Sequence, residues 1–506
     1  MKFLLVDILR SGLEEIWPAA EHSLGLMYLS AVLKQRFGAL VDVELRSLIS
    51  LPHHADQDRE SMQRLLEEAQ PDVVGLRSLT LSSDCVHTVA RVVKGWRSDC
   101  VLLAGGPYAS DDPGDVLSTG LVDVAVIGEG ELTLLELTQC LLDRVPYAHV
   151  EGIAFRNNGS MVKNPPRAVI NDLDALPFPD YSVVDLDIFS NRYLSFAAKV
   201  STPHANIMTS RGCPYRCAYC HNILGKTFRP RSAQNVFEEI RWIHDELGIT
   251  DFQVIDDIFN LDMDRAKRIC DLIIQSGMNL TFAFPNAIRS DRVDEELVEK
   301  MALAGTKFTA IAIETASPRL QKLIKKNLDL DTAFRTIDLF SEAGVVTRGF
   351  FMLGFPTETE EEALSTIEYA KQSALCGATF FQVVYYPGTK LYELAQSMGY
   401  FKEEHNEINR DYVQVSDGPY NFSAERMIEL KKKAITEFAF TKERVMRAEN
   451  IMPPYFTPRE IDGLFMAYVV SAQTRWEDIE DDYVRTRLKR HFIIADRFSR
   501  KREFYV

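Results

Sequence analysis

Three of the eight cysteines lie close together, in the segment SRGCPYRCAYCHN. Cys213, Cys217 and Cys220 have a Cys-x3-Cys-x2-Cys spacing, in a loop that opens with glycine and proline. Three thiolates so close in sequence can bind one metal centre, and soft sulfur ligands select zinc or iron-sulfur. Structural zinc needs a fourth ligand; the adjacent His221 cannot easily reach an ion that Cys220 binds, and the chain has no second Cys-x2-Cys pair. The spacing favours a [4Fe-4S] cluster with one iron open to a small molecule, with the three cysteines as its metal ligands.

The other five cysteines are predicted to have no chemical role. They lie in helical patterns or beside a buried strand, where free cysteine usually behaves as a small hydrophobic residue. They are Cys85, Cys100, Cys140, Cys270 and Cys376.

The elements that must position the cysteine loop are strands that alternate with helices from residue 205 onward. Candidate strands are 205–210, 250–256, 279–286, 307–315, 345–354 and 378–386. Ser232 can cap the helix that follows the cysteine loop, and Gly248 can end it. Six strands with intervening helices fall short of a complete eight-fold barrel, so the pattern predicts a partial (β/α)6 barrel with its chemistry at the carboxyl ends of the strands.

This arrangement resembles the radical S-adenosylmethionine (SAM) superfamily, because Tyr219 precedes the last cysteine and the loop follows the first barrel strand. The resemblance implies that the open iron binds the amino and carboxylate groups of SAM, and that the reduced cluster cleaves SAM to a 5′-deoxyadenosyl radical. SAM carries an ammonium and ribose hydroxyls that suit carboxylates, and a carboxylate that suits a guanidinium. The SAM contacts expected near the strand ends are Tyr219, Asp257, Arg289, Glu314, Arg348, Gly354 and Pro356. A zinc or redox-inert cysteine loop is the alternative.

The first 145 residues predict a second α/β unit. Five short apolar runs, at 2–8, 41–47, 72–79, 101–107 and 122–128, alternate with amphipathic stretches, as a doubly wound parallel sheet requires. No G-x-G-x-x-G follows the first run, so the sequence does not support dinucleotide binding. The unit is therefore Rossmann-like without a dinucleotide signature.

This unit resembles the cobalamin-binding domains that precede radical SAM cores. Its turns after the third, fourth and fifth strands are rich in small residues, which allow a corrin tail to approach the carboxyl edge of the sheet. The expected contacts are Ser78, Leu79, Thr80, Gly105, Gly106, Pro107, Gly128, Glu129 and Gly130. The alternative is that the glycines only make tight turns.

One residue of this unit departs from the cobalt-ligating pattern of the resemblance, Asp-x-His-x-x-Gly. His22 and Gly25 match that pattern, but Ala20 stands in the Asp position and supplies no carboxylate to orient the imidazole. Relatives that bind cobalamin without a histidine ligand usually have a proline near the position of His22. The sequence therefore argues against cobalt ligation by His22.

Four regions are expected along the chain. They are a cobalamin-binding domain at 1–145, a connecting segment with a hairpin at 146–200, the radical SAM core at 201–395, and a helical substrate or cap domain at 396–506.

Net charge and hydropathy limit the classes of partner and the cellular location that the sequence allows. With 57 Lys and Arg against 73 Asp and Glu, the net charge is -16, which argues against nucleic acid. No apolar run approaches a membrane span of about 18 residues, and the first residues lack signal-peptide features. We expect a cytoplasmic protein, where a reducing environment protects an oxygen-sensitive cluster.

The two resemblances together imply a cobalamin-dependent radical SAM methyltransferase. In that family the deoxyadenosyl radical abstracts hydrogen from an unactivated substrate carbon, which then takes a methyl group from methylcobalamin. The expected partners are a small-molecule substrate, such as a natural-product, cofactor or lipid intermediate, and an electron donor such as flavodoxin or ferredoxin. The same cofactors also serve cyclases, ring-contracting enzymes and enzymes that form carbon-carbon bonds.

Two further classes fit less well. A non-enzymatic cobalamin or iron-sulfur sensor does not need the crowded strand-end motifs of the barrel. A methylthiotransferase uses three more cysteines in its N-terminal domain to bind a second cluster, and Cys85, Cys100 and Cys140 have irregular spacing in helical settings.

Overall fold

The chain forms two compact units, seen in a computed structural model that describes residues 1–10, 23–50, 55–184, 203–220, 223–386, 388–400, 421–452, 461, 464–465, 468–469 and 479–489. The first unit comprises Met1–Ser195, Ala205–Pro214 and Asn222–Asn235, and the second comprises Phe196–His204, Tyr215–His221 and Val236–Val506.

The first unit contains a seven-stranded sheet with the order β2-β1-β3-β4-β5-β6-β7. Its strands are β1 (Lys2–Arg10), β2 (Asp42–Ser50), β3 (Val73–Ser78), β4 (Val101–Gly105), β5 (Val124–Val126), β6 (Ile153–Asn157) and β7 (Ser160–Lys163). Its helices are α1 (Leu24–Phe37), α2 (Ala55–Ala69), α3 (Ser83–Trp96), α4 (Pro107–Asp111), α5 (Pro113–Val116) and α6 (Glu131–Asp143). The first five strands pair in parallel, which confirms the Rossmann-like prediction.

Alternating apolar residues build the core of this unit. Leu4 and Val6 of β1 pack in one buried cluster with Val86, Val89 and Val93, which share one face of α3. Burial of such apolar surface is the main term that stabilises the sheet against its helices. The chain order reverses between β1 and β3, so a topological switch point lies at the carboxyl edge, where open α/β sheets bind ligands.

The hairpin expected in the connecting segment is part of this sheet. Strands β6 and β7 are antiparallel to each other, and β6 is antiparallel to β5. Asn158 and Gly159 between them have φ of 49° and 83°, as a two-residue turn with two positive φ angles requires. Residues 153–163 therefore extend the first sheet.

The second sheet has six strands in the order β15-β14-β13-β12-β11-β8. They are β8 (His204–Ile207), β11 (Asp251–Val254), β12 (Thr281–Ile288), β13 (Thr306–Glu314), β14 (Val346–Leu353) and β15 (Gly377–Gln382), and a separate pair is formed by β9 (Ser210–Arg211) and β10 (Arg229–Pro230). The helices are α7 (Ala233–Leu247), α8 (Met263–Ser276), α9 (Glu295–Leu303), α10 (Pro318–Leu323), α11 (Leu330–Glu342), α12 (Glu360–Gln372), α13 (Lys390–Ser397), α14 (Ala424–Ala439) and α15 (Lys442–Ile451).

Strands β11 to β15 are parallel and follow one another in chain order. The Ser232 hydroxyl accepts a hydrogen bond from the Asn235 amide (3.1 Å) at the start of α7, and Gly277 ends α8 in the left-handed conformation, as their sequence positions predict. This alternation of parallel strands and helices confirms the partial barrel. It brings the carboxyl ends of neighbouring strands to one edge.

Most of the described residues after α13 are helical. This region contains α14, α15 and a helix at 482–489. In the part of the chain that the structure describes, no helix is long and apolar enough to cross a membrane.

Candidate active site

The cysteine loop begins and ends at a short antiparallel strand pair. Arg211 of β9 lies opposite Arg229 of β10, so residues 212–228 form a loop with a closed base. Gly212 has a φ of 80°, and a Cβ at this position would lie 2.3 Å from the Thr227 carbonyl oxygen. Only glycine fits this conformation directly before Cys213. The Cys213 amide donates to the Gly225 carbonyl oxygen (3.3 Å), which adds a second bond across the loop.

Exposure separates the cysteines into the two predicted groups. Cys213 and Cys217 are half-buried and Cys220 is exposed, whereas Cys85, Cys100, Cys140, Cys270 and Cys376 are buried. Burial raises the pKa of each of these five thiols, so they resist forming the thiolate that binds metal. No three His, Cys, Asp or Glu side chains of the described residues converge on a metal position. The fit to a cluster rests on the chemistry and exposure of the three thiols.

The second half of the cysteine loop is held by contacts within the second unit. The Ala218 amide donates to the Ile324 carbonyl (2.7 Å), and the Leu391 amide donates to the Ala218 carbonyl (2.8 Å). The ring of Tyr215 lies over the Arg289 guanidinium, whose carbon is 3.5 Å from the ring centroid. These bonds fix the backbone between Cys217 and Cys220.

Glu314, the last residue of β13, belongs to a buried polar group. Its Oε1 accepts hydrogen bonds from the Tyr219 hydroxyl (2.9 Å) and from Lys326 Nζ (2.8 Å). Burial, and then the charge of Glu314, raises the pKa of Tyr219 well above its usual value, so the phenol stays a donor. Lys326 therefore compensates the Glu314 charge. None of the hydrogen bonds resolved among the described residues uses Glu314 Oε2.

Arg289 follows β12 and makes a two-pronged ion pair. Its Nε and Nη2 donate to the carboxylate of Asp291 (2.7 and 3.0 Å), and Nη2 also donates to the Lys326 carbonyl (2.9 Å). Burial opposes the charge of Arg289, but Asp291 outweighs it and the pKa is raised. Asn260 holds the Arg289 backbone at both its amide and its carbonyl. The guanidinium is thus pre-positioned, with part of its fork already engaged.

The loop after β14 carries two predicted SAM contacts and a residue that the sequence analysis missed. Gly354 has a φ of 96°, and Pro356 is buried. The Gly354 and Phe355 amides both donate to Glu358 Oε2, while Glu358 Oε1 has no hydrogen-bond partner among the described residues. Burial raises the pKa of Glu358, which is 1% exposed, to about 7. Asp257, the predicted contact after β11, is exposed.

Arg348 does not lie with the other predicted SAM contacts. It is the third residue of β14 and pairs with Gly377, the first residue of β15. Five residues separate it from Leu353 at the carboxyl end, about 16 Å of extended strand. Its guanidinium packs over Phe308 (5.6 Å to the centroid), and burial lowers its pKa. Its place near the amino end of the strand excludes it from the edge where the other candidates lie.

The predicted cobalamin contacts follow three adjacent strands of the first sheet. Ser78, Leu79 and Thr80 stand at the end of β3, Gly105, Gly106 and Pro107 at the end of β4, and Gly128, Glu129 and Gly130 just after β5. Gly106 has a φ of 83°, and a Cβ there would lie 2.9 Å from Arg77 Cγ. The small residues thus gather at one carboxyl edge. His22 and Ala20 lie outside the described residues.

Glu129 departs from this picture because its carboxylate is already occupied. Its Oε1 lies 3.1 Å from Arg211 Nη1 and 2.8 Å from Arg229 Nη2, and its Oε2 accepts from Arg229 Nη1 and the Ile170 amide, both at 2.9 Å. Burial alone raises the pKa of Glu129, but the bonds from Arg229 and Ile170 and the charge of Arg211 outweigh it and lower the pKa. A buried carboxylate that accepts three hydrogen bonds and pairs with two arginines is a structural ion-pair partner, so a cobalamin contact by this side chain does not fit.

Sequence reasoning missed Lys326, Glu358 and the arginines at the loop base. Lys326 lies 12 residues after Glu314 in a basic, solvated-looking run, so no pattern marked it. Glu358 carried a signal, because it lies two residues after Pro356 of the Gly354 to Pro356 motif. Arg211 and Arg229 also carried one, since they flank the cysteine loop.

Comparison with known proteins matches both units. The B12 binding domain family matches residues 18–138, and the Radical SAM superfamily matches residues 207–370. An uncharacterized methyltransferase of Pyrococcus horikoshii is 27% identical over 475 residues, which span 92% of this chain and 99% of that protein. Cytidylyl-2-hydroxyethylphosphonate methyltransferase of Streptomyces wedmorensis is 27% identical over 471 residues, or 84% of this chain and 88% of that protein.

A solved structure shares the fold over nearly the whole chain. The cobalamin-dependent SAM radical enzyme OxsB, with aqua-cobalamin and SAM bound, superposes with a TM-score of 0.68 at 17% identity, and covers 93% of this chain and 72% of its own. The three accessible thiols and the small-residue edge of the first sheet fit the groups that these domains bind. The chain therefore combines a region that matches the B12 binding domain family with a region that matches the Radical SAM superfamily, and it is an enzyme that uses a [4Fe-4S] cluster, SAM and cobalamin.

Proposed function

We propose that this cobalamin-dependent radical SAM enzyme is a methyltransferase with a small-molecule substrate, and that Cys213, Cys217 and Cys220 bind its cluster. The single observation that carries the cluster assignment is the contrast in exposure, since these three thiols are accessible and the other five are buried. Methyl transfer is supported by the two relatives, whose printed names are methyltransferases, and by their coverage of 84% or more of this chain.

The proposed SAM site lies at the carboxyl edge of the second sheet. When bound by Cys213, Cys217 and Cys220, the cluster would supply the electron that cleaves SAM, and methylcobalamin would supply the methyl group. Glu314 Oε2 accepts a hydrogen bond from a ribose hydroxyl, because Lys326 and Tyr219 already donate to the other carboxylate oxygen. Gly354 and Pro356 offer a compact backbone surface to the adenine.

The charged ends of SAM are assigned to the remaining strand-end residues. Asp257 is exposed after β11 and offers a carboxylate to the ammonium group. Arg289 offers its guanidinium to the SAM carboxylate, and its ion pair with Asp291 and its stacking on Tyr215 set the direction of the fork. Arg348 is not part of this site.

The proposed cobalamin site lies at the carboxyl edge of the first sheet. Ser78, Thr80, Gly106 and Gly128 provide small side chains after three adjacent strands, so a corrin tail can approach their backbone. The pattern Asp-x-His-x-x-Gly uses its Asp to orient the histidine, and this chain has Ala20 in that position. We therefore propose that His22 does not ligate cobalt.

We also propose the cellular setting that this chemistry needs. The relative from Streptomyces wedmorensis is named for a cytidylyl phosphonate, a small polar molecule, and we place the substrate of this chain in the broad class of small metabolites. A one-electron donor such as flavodoxin or ferredoxin reduces the cluster in the cytoplasm.

Anaerobic reconstitution tests the proposal. Wild type, Cys217→Ala and the control Cys140→Ala are compared for iron and sulfide content and for deoxyadenosine formed from SAM. Loss of both in Cys217→Ala, with both retained in Cys140→Ala, is the expected result; equal loading of all three contradicts the cluster assignment.

A second measurement tests methyl transfer. The enzyme is given methyl-labelled SAM, cobalamin and candidate small molecules. Label in the product supports the methyltransferase. If deoxyadenosine forms and the substrate is modified without label, the result favours cyclisation or rearrangement and refutes methyl transfer.

A further inference from the structure

The base of the cysteine loop contains two buried arginines in direct opposition. Arg211 and Arg229 are register partners on β9 and β10, and they are 5% and 3% exposed. Like charges directly opposite on an antiparallel pair destabilise it, and a buried charge needs a partner. The strand pair therefore closes only if something neutralises both guanidinium groups.

Two carboxylates from the start of α6 supply this neutralisation. Glu129 accepts hydrogen bonds from both arginines, and Glu131 Oε1 accepts from Arg211 Nη2 (2.6 Å). Two positive and two negative groups balance in charge, and all four side chains are less than a tenth exposed. Glu129 alone touches both strands, so it is the bridge.

Arg229 extends the bridge into the loop itself. Its Nη2 donates to the Leu224 carbonyl (2.8 Å), and its Nη1 donates to the Ile170 carbonyl (2.6 Å). Leu224 adjoins Gly225, whose carbonyl accepts from the Cys213 amide. A continuous chain of bonds thus runs from Glu129 through Arg229 to the backbone of the first cysteine.

We propose that Glu129 is a positioning residue for the cluster, because it holds Arg211 and Arg229 together and thereby keeps the base of the loop closed around Cys213. The inference rests on the proposed role of Cys213 as a cluster ligand. It assigns the side chains of Glu129 and Glu131 to the base of the cluster loop, in place of a contact by the Glu129 side chain to cobalamin.

The first test uses the protein without cluster, so it does not depend on metal binding. Amide hydrogen exchange of the 212–228 segment is compared in wild type, Glu129→Gln and the control Glu136→Gln. The control breaks the ion pair between Glu136 of α6 and Arg167. Removing one partner of a buried ion pair leaves an uncompensated charge in the interior. We therefore expect amide exchange of the segment in Glu129→Gln to be faster by about 100-fold. Wild-type exchange in Glu129→Gln overturns the proposal.

A double variant covers the case in which Glu129→Gln does not fold. Glu129→Gln with Arg229→Gln removes one charge of each sign and so leaves no buried charge in excess, but it also removes the bridge. Fast exchange of the loop in the double variant supports the proposal. Exchange equal to that of wild type overturns it.

The second test is spectroscopic, since a purely structural role would not change the cluster. After anaerobic reconstitution, the electron paramagnetic resonance spectrum of the reduced cluster is recorded with and without SAM. We expect Glu129→Gln to show lower iron content and shifted g values, and Glu136→Gln to match wild type. Unchanged loading and spectrum in Glu129→Gln refute the positioning role, whereas wild-type loading in Cys213→Ala refutes the ligand assignment and leaves the exchange result standing.

Discussion

Glu358 provides a direct test of how burial controls charge beside the proposed SAM site. Its carboxyl is almost fully buried and accepts hydrogen bonds from the Gly354 and Phe355 amides through Oε2. No residue that the structure describes bonds to its Oε1. The substitution Glu358→Gln keeps an oxygen to accept from both amides and removes the titration. The variant therefore isolates the cost of ionising this group.

The magnitude follows from the pKa of Glu358, which burial raises from 4.5 to about 7. As pH rises above 4.5, the unfolded chain loses this proton before the folded one, so the folded state becomes less stable until the pH passes 7. The shift corresponds to a total loss of about 3 kcal/mol. From pH 6 to pH 8 the equilibrium constant for local folding is expected to fall about tenfold.

The assay is amide hydrogen exchange of residues 346–372, compared between variant and wild type at the same pH so that intrinsic exchange rates cancel. The ratio of protection, Glu358→Gln over wild type, is expected to rise about tenfold from pH 6 to pH 8. Glu362→Gln is the control, because the hydrogen bond from Arg319 lowers the pKa of Glu362 to about 2 and both states are ionised throughout this range.

The control variant is expected to lose protection by the same factor at both pH values, since it loses its partner Arg319 and not a proton. A Glu358→Gln ratio that is constant from pH 6 to pH 8 refutes the reasoning. That result means that Glu358 is ionised in the folded state despite its burial.

Three further substitutions have defined outcomes. Gly212→Ala is expected to prevent cluster loading, because its Cβ collides with a backbone carbonyl. Gly225→Ala has open space around its Cβ and is expected to lose less of the cluster. Iron content after reconstitution checks this, and equal loading of the two variants contradicts it. Lys326→Met leaves Glu314 buried without its counter-ion, so SAM affinity measured by equilibrium dialysis is expected to fall about tenfold or more, and unchanged affinity removes Lys326 from the site. Arg348→Met is expected to keep wild-type SAM affinity while changing the thermal midpoint; a selective loss of affinity restores Arg348 to the SAM site.

The predicted fold agrees with the structure because it depends on local patterns. Short apolar runs bounded by turn residues gave the strands of both sheets, and caps such as Ser232 and Gly277 gave the helix ends. The two-residue turn at Asn158 and Gly159 was equally local, but its pairing with β5 was not, because strand addition depends on which edge is open.

The candidate site divides along the same line. Strand-end position brings Glu314 and the Gly354 loop to one edge, as the sequence order predicts, because carboxyl ends of parallel strands meet. Arg348 was misplaced by this reasoning, because the sequence pattern of a strand does not show how far a residue within it lies from the carboxyl end. No sequence feature marks Lys326 as part of the site either, because its contact with Glu314 depends on how the segment after β13 folds.

The sequence by itself determined the chemistry that the chain offers: three cysteines at a spacing suited to one cluster, a partial barrel to carry them, and a Rossmann-like unit before it. These features depend on residue type, spacing and period, which need no knowledge of distant contacts. Only the tertiary structure decided which charges meet. Glu129 is paired with Arg211 and Arg229 across about 80 and 100 residues, and the buried environment that makes these ion pairs necessary exists only after the chain has folded.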